Sequence, residues 1–205
     1  MKIAIIGAGN VGGALAKSFA KSGYKVVIGA RNINSDGIKK LIAANKNIIA
    51  KSVKEASAEA EVILVSTPVQ AIIEVAEQII TDDSKVIIDA TNSVFMKPEP
   101  YNNCFEALKD ISKSKNIVKC FNSTGFENMA NPRYGDISLD MFVAGDNLKA
   151  KKTVSELAKV IGFDDCFDFG GEDKVNLLEQ FAMCWINLAI MQKQGRDIAF
   201  KIIKR

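Results

Sequence analysis

The sequence contains no histidine in its 205 residues. Without an imidazole, the usual base of alcohol and hydroxyacid dehydrogenases is missing, and Ser-His-Asp and Cys-His hydrolysis go with it. Cysteine is sparse: Cys104, Cys120, Cys166 and Cys184 lie far apart and form no CxxC pair. Zinc-ribbon, zinc-finger and thioredoxin-like readings are therefore poor, and no metal site is expected. The formal charge is only +3, made of scattered lysines such as Lys39-Lys40, Lys151-Lys152 and the Lys204-Arg205 tail, with no arginine-rich face. No nucleic-acid partner is expected. A core strand begins within the first residues, which leaves no room for a signal or transit peptide and makes a cytoplasmic location the expectation. The apolar run over 174–193 is too short, and too interrupted by Glu179, Gln180 and Asn187, to span a membrane, so no membrane partner is expected either. No internal repeat, low-complexity tract or Ser/Pro-rich linker is present.

What the chain does have is glycine at particular spacing. Residues 1–13 read MKIAIIGAGNVGG, in which Ala4-Ile5-Ile6 suits a buried strand and Val11, Leu15, Ala16 and Phe19 suit one face of a helix. Gly7, Gly9 and Gly12 fall between them at GxGxxG spacing. Gly7 permits the tight turn, Gly9 lets backbone N–H groups approach a pyrophosphate at the helix N-terminus, and Gly12 lets helix and strand pack closely. A second strand over 24–28 follows at the distance a dinucleotide-binding unit needs.

The end of that second strand points to NADP(H). An Asp or Glu there would bind the ribose 2′-hydroxyl of NAD, but the chain reads Gly29-Ala30-Arg31-Asn32 and has no acid before Asp36. A guanidinium presents a planar fork of donors to a phosphate. The plainer alternative is that Arg31 is a solvated loop arginine.

Strand and helix patterns keep alternating. Helices are expected over 35–44, 53–58, 69–80 and 104–113, and strands over 47–50, 61–66, 85–89 and 116–121. Near-continuous apolar strands between helices imply a parallel sheet covered on both faces, an α/β fold of Rossmann-like, doubly wound type. The pattern continues with a strand over 140–144, a helix over 147–161 stopped by Gly162, and a short strand over 166–169. Residues 1–170 read as the NADP-binding domain and 171–205 as a C-terminal helical segment packed on it or at a dimer interface. In that segment Leu177, Leu178, Phe181, Trp185, Leu188 and Ala189 recur at helical spacing. Leu177, Phe181, Trp185 and Leu188 form an apolar stripe suited either to a second subunit or to packing on the protein's own sheet.

In an open parallel sheet, ligands bind outside the carboxyl ends of the strands. Those ends are Gly7-Ala8-Gly9-Asn10, Ala30-Arg31-Asn32, Ser66-Thr67-Pro68, Ala90-Thr91-Asn92-Ser93 and Asn122-Ser123-Thr124, all small or polar. Asp89 is the one carboxylate beside this rim and is expected to tie down neighbouring loops rather than to react. Lys119 is expected to turn to an edge or to solvent. A rim poor in acids and bases suits hydride transfer between stacked rings, in which the protein supplies position and electrostatics.

GAGNVG at the first turn, VVIGARN at the second strand, STP after the fourth, KCFNS, FVAGD, and GRDIAFK near the end together resemble the deazaflavin-dependent NADP oxidoreductases. The same domain type is similar to the cytoplasmic reductase domain of the six-transmembrane metalloreductases. The resemblance implies hydride transfer between NADP(H) and a deazaflavin or flavin co-substrate as small-molecule acceptor or donor, in a homodimer. It also implies that Gly7, Gly9, Asn10, Val11 and Gly12 form the pyrophosphate loop, that Ala30, Arg31 and Asn32 hold the 2′-phosphate end, that Thr67 and Pro68 hold the nicotinamide-side ribose, and that Asn92 with Asn122 meets the nicotinamide edge. An NADPH-dependent imine or small-carbonyl reductase shares the opening motif, and a non-catalytic NADP-binding sensor is the alternative of a different class.

Overall fold

A computed structural model describes residues 1–205. The chain alternates as expected through β1 (Lys2–Ile6), α1 (Asn10–Lys21), β2 (Lys25–Gly29), α2 (Asp36–Ala44), β3 (Ile48–Lys51), α3 (Val53–Glu59), β4 (Val62–Val65), α4 (Ile72–Gln78), β5 (Val86–Asp89), α5 (Cys104–Ser112) and β6 (Ile117–Cys120). A short helix α6 (Phe126–Ala130) and a hairpin, β7 (Arg133–Tyr134) and β8 (Ile137–Ser138), come next. They precede β9 (Met141–Ala144), α7 (Leu148–Val160), β10 (Cys166–Gly170) and α8 (Val175–Ile186). A π-helical turn, Asn187–Met191, extends α8.

The eight-stranded sheet has the order β10-β9-β6-β5-β4-β1-β2-β3. All its neighbours run parallel except β6 and β9, which are antiparallel with Lys119 opposite Ala144. This is a Rossmann-like, doubly wound fold, and its strand order reverses between β1 and β4. Alternate residues of each strand feed opposite layers. Ile3 and Ile5 pack with Leu15, Phe19, Ile38 and Val154 on one side. Ala4 and Ile6 pack with Val53, Ile72, Leu108 and Leu178 on the other. Phe19 is fully buried and meets Tyr24 and Phe121 edge-on at 6.1 Å, an aromatic whose burial contributes about 2–3 kcal/mol. Local signals close the elements. Ser52 and Glu55 form a capping box on α3, and Gly162 has φ +108° where α7 ends.

Two expectations about the C-terminal part need correction. The stripe Leu177, Phe181, Trp185, Leu188 divides between two faces: Leu177 and Leu188 are exposed, whereas Trp185 is buried and Phe181 stacks among Phe142, Phe169 and Phe200. What covers the inner face is residues 195–205, an irregular segment that returns across α6 and the β9–β10 edge. The Ile198 carbonyl accepts bonds from Trp185 Nε1 at 2.6 Å and Asn128 Nδ2 at 2.9 Å. Arg196 pairs with Glu127 and lies over the Phe126 and Trp185 rings. Lys201 reaches Asp140 and Asp164.

Candidate functional site

The glycine loop joins β1 to α1 at the strand-order reversal. Gly7 has φ +103°, and its N–H donates to the Gly29 carbonyl at 3.1 Å, so the turn is tied to β2. A Cβ on Gly12 would lie 2.0 Å from the Gly7 carbonyl oxygen and 2.5 Å from Ser66 Oγ. The helix thus starts directly against the turn. Gly9 differs: it caps α1 in an ordinary extended conformation, and a Cβ there would meet no protein atom within 4 Å. No side chain caps this helix and no acid occupies its first turn. Its free N–H groups and the positive end of its dipole therefore face an open space that suits an anion. Asn10 is exposed and Val11 half-buried beside it.

At the end of β2, Ala30 packs on the core while Arg31 and Asn32 are exposed. The Asn32 side chain accepts from the Asn34 N–H at 3.0 Å and shapes the turn. Arg31 is 76% exposed, and its contact with Glu74 is long at 3.7 Å. A solvent-screened pair of this kind contributes little, which leaves the guanidinium available.

Across the crevice, β4 ends in Ser66-Thr67-Pro68. Ser66 Oγ donates to the Gly7 carbonyl at 3.1 Å and bridges the two strand ends. The sequence marked Ser66 only as part of the rim, and its coupling to the glycine turn appears only once β4 lies beside β1. Thr67 Oγ1 is buried without a hydrogen-bond partner. Asn92 and Asn122, both expected at the nicotinamide edge, bond to each other: Asn92 Nδ2 donates to the Asn122 carbonyl at 2.9 Å, and Asn122 Nδ2 donates to Asn92 Oδ1 at 3.0 Å. Phe121, with φ +59°, turns the chain sharply just before Asn122. Asn122 Oδ1 is the second buried oxygen without a partner. Buried polar atoms are nearly always satisfied. Two orphan acceptors and the vacant space over Gly9 therefore fit a dinucleotide whose ribose hydroxyl and carboxamide supply donors.

Lys119 contradicts the expectation that it turns to an edge or to solvent. It is fully buried between Asp89 Oδ2 at 2.8 Å and Glu179 Oε1 at 2.6 Å. Burial alone would depress its pKa, but the two carboxylates and their hydrogen bonds outweigh that and hold it above the usual lysine value. Asp89 has the tying role expected of it, accepting from the Thr91 N–H at 2.9 Å and the Thr91 hydroxyl at 2.7 Å. Glu179 Oε2 accepts from the Ser93 N–H at 3.1 Å. Sequence reading gave Glu179 no part in this cluster; its signal was an acid on the Val175, Leu178, Ala182 face of α8. A cavity of about 790 Å³ elsewhere, lined by Tyr101, Lys109, Lys113 and Glu172 among others, shares no residue with this crevice.

The family model of coenzyme F420-dependent NADP oxidoreductases matches residues 2–93. The chain is 26% identical over 215 residues to the F420-dependent NADP reductase of Methanocaldococcus jannaschii, covering 94% of each. It is 29% identical over 167 residues to the metalloreductase STEAP3 of Rattus norvegicus, covering 79% of this chain and 32% of that protein. The chain thus spans about a third of the metalloreductase and nearly all of the archaeal reductase. A crystal structure of a candidate F420-dependent NADP-reductase from Arthrobacter sp. FB24 superposes with a TM-score of 0.84 at 24% identity, covering 100% of both chains. An imine reductase from Bacillus cereus shares the fold at a TM-score of 0.66 and 20% identity, over 94% of this chain and 62% of that one. Fold and matches together define the class, an NADP-dependent oxidoreductase of Rossmann-like fold. Within that class the resemblance to the F420-dependent NADP oxidoreductases holds.

Proposed function

We propose that the chain transfers hydride between NADP(H) and a flavin-like or deazaflavin acceptor. The observation that supports this reading most is chemical. The crevice offers hydrogen-bonding groups, and the titratable groups nearest its floor, Asp89, Lys119 and Glu179, are buried and bonded to one another. Reduction of a carbonyl needs a proton donor at the substrate, whereas hydride transfer between two rings needs position and exclusion of water. In this reading Gly9, Asn10, Val11 and Gly12 present backbone N–H groups to the pyrophosphate, Gly7, whose N–H is bonded to the Gly29 carbonyl, shapes the turn, and Ala30, Arg31 and Asn32 receive the 2′-phosphate. Thr67 and Pro68 border the nicotinamide-side ribose, and Asn92 and Asn122 receive the carboxamide. Bound nicotinamide supplies the hydride-carrying carbon; the protein holds the ring and leaves its other face for the acceptor.

The exposed Leu177, Leu188 and Met191 of the α8 region are the proposed contact of a homodimer. No helix is long and apolar enough to cross a membrane, and a cytoplasmic location is part of the proposal. The test is NADPH oxidation with a deazaflavin, with free flavins and with imines in parallel. Turnover of the ring acceptors is expected. Turnover of imines alone would overturn the acceptor assignment, and NADPH binding without any turnover would make the protein a sensor.

A further inference from the structure

The Lys119 cluster binds together the segment that carries Asn92. Asp89 grips Thr91 by its N–H and hydroxyl, and Glu179 grips the Ser93 N–H. Lys119 joins the two carboxylates, so the residues on both sides of Asn92 are fixed to one buried group. Every bond these carboxylates make here is accepted: from an ammonium, from N–H groups and from a hydroxyl. That pattern suits carboxylates, which only accept, paired with an ammonium. One cation and two anions leave a net charge of −1, and Lys119 and Asp89 are 0% exposed and the Glu179 side chain 6%. Asn92 is in turn bonded to Asn122, whose Oδ1 has no partner.

We propose that this buried net negative charge biases the crevice toward the oxidised, cationic nicotinamide, so that NADP+ is held in preference to NADPH. The proposal rests on the nicotinamide lying against Asn92 and Asn122, as in the function proposed above. The two dinucleotides differ by one charge, located on that ring, so a fixed anion below it discriminates between them while their phosphates are held alike. Asp89, Lys119 and Glu179 act here as positioning and field-setting residues and do not touch the reacting atoms.

Titration calorimetry of the wild type with NADP+, with NADPH and with 2′-phospho-ADP-ribose, which lacks the nicotinamide, provides the test. Wild type is expected to bind NADP+ at least as tightly as NADPH. Glu179→Gln and Asp89→Asn each remove one negative charge while keeping shape. Each should lower the NADP+ preference about three- to tenfold, the scale of one unit charge felt through partly screened protein, and leave affinity for 2′-phospho-ADP-ribose unchanged. An unchanged preference in both variants would overturn the proposal. So would tighter binding of NADPH than NADP+ by the wild type, a result that needs no variant to fold. Failure of the wild type to bind any of the three ligands would overturn the reading of the crevice itself.

Discussion

Gly9 and Gly12 sit three residues apart, yet substitution should separate them cleanly. At Gly12 an alanine Cβ would stand 2.0 Å from the Gly7 carbonyl oxygen, a backbone atom of a turn that is itself bonded to β2. That overlap cannot relax without moving α1 from β1, and the cost should be on the order of 3 kcal/mol. For a chain of 205 residues this lowers Tm by roughly 6–12 °C. At Gly9 the same Cβ would meet nothing within 4 Å. Two small effects oppose each other there: alanine is a poorer helix cap by about 0.5–1 kcal/mol, and it restricts the unfolded chain by about 0.4–1 kcal/mol. Gly9→Ala should therefore leave Tm within about 2 °C of wild type. Gly9→Val fills the space over the helix N-terminus and should weaken NADPH by at least about 2 kcal/mol, roughly thirtyfold in Kd. Thermal melts with and without NADPH, together with calorimetric titration, give all three quantities. Wild-type NADPH affinity in a folded Gly9→Val protein would refute the placement of the pyrophosphate. A Gly12→Ala protein as stable as wild type would refute the close contact.

Arg31→Ala should weaken NADPH by about 1–3 kcal/mol while leaving NADH nearly unchanged, because its pair with Glu74 is too exposed to matter to folding; equal losses in titrations with both cofactors would count against it. Leu177→Glu combined with Leu188→Glu should turn a sedimenting dimer into a folded monomer, since both side chains are exposed, and a wild type that sediments as a monomer would remove the homodimer proposal. Trp185→Glu should instead destabilise the fold, shown by a lower Tm, because Trp185 is buried and bonded to the Ile198 carbonyl. The hydrogen bond from Arg196 holds the Glu127 carboxyl below its usual pKa. A lowered folded pKa contributes stability above the unfolded pKa and loses it as pH falls through the folded one. The Tm gap between wild type and Arg196→Gln should therefore be widest near neutral pH and close as pH falls below the usual glutamate range.

The central strands were legible because they are buried on both faces and so read as apolar runs: Val62–Val65 shows it plainly, and Val86–Asp89 departs from it only at its last residue. The glycine spacing and the open strand ends were legible because position along a strand fixes position on the rim. Residues 122–139 were not. The helix Phe126–Ala130 is five residues long and the hairpin strands are two each, too short for any period to emerge. Lys119 was misjudged because a lone lysine in a strand carries no mark of its partners, which lie 30 and 60 residues away in sequence. The apolar stripe of α8 was misjudged because an irregular segment, lacking periodicity altogether, is what covers Trp185.

The inverted pairing of β6 with β9 decides where the last helix starts. Because β9 and β10 point against the other strands, the chain leaves β10 at the rim opposite the crevice, where Gly145 bonds to the Gly170 carbonyl. α8 must then climb the whole height of the sheet, passing Asn103 at Asn176, the Asn122 side chain at the Leu178 carbonyl, and Lys119 at Glu179 before Trp185 arrives beside Gly125. A parallel β9 would have released the helix at the crevice rim and sent it away from these residues. One reversed pairing thus turns a terminal helix into a spine along the floor of the site, and any shift of that helix along its own axis would be read at once by Asn122.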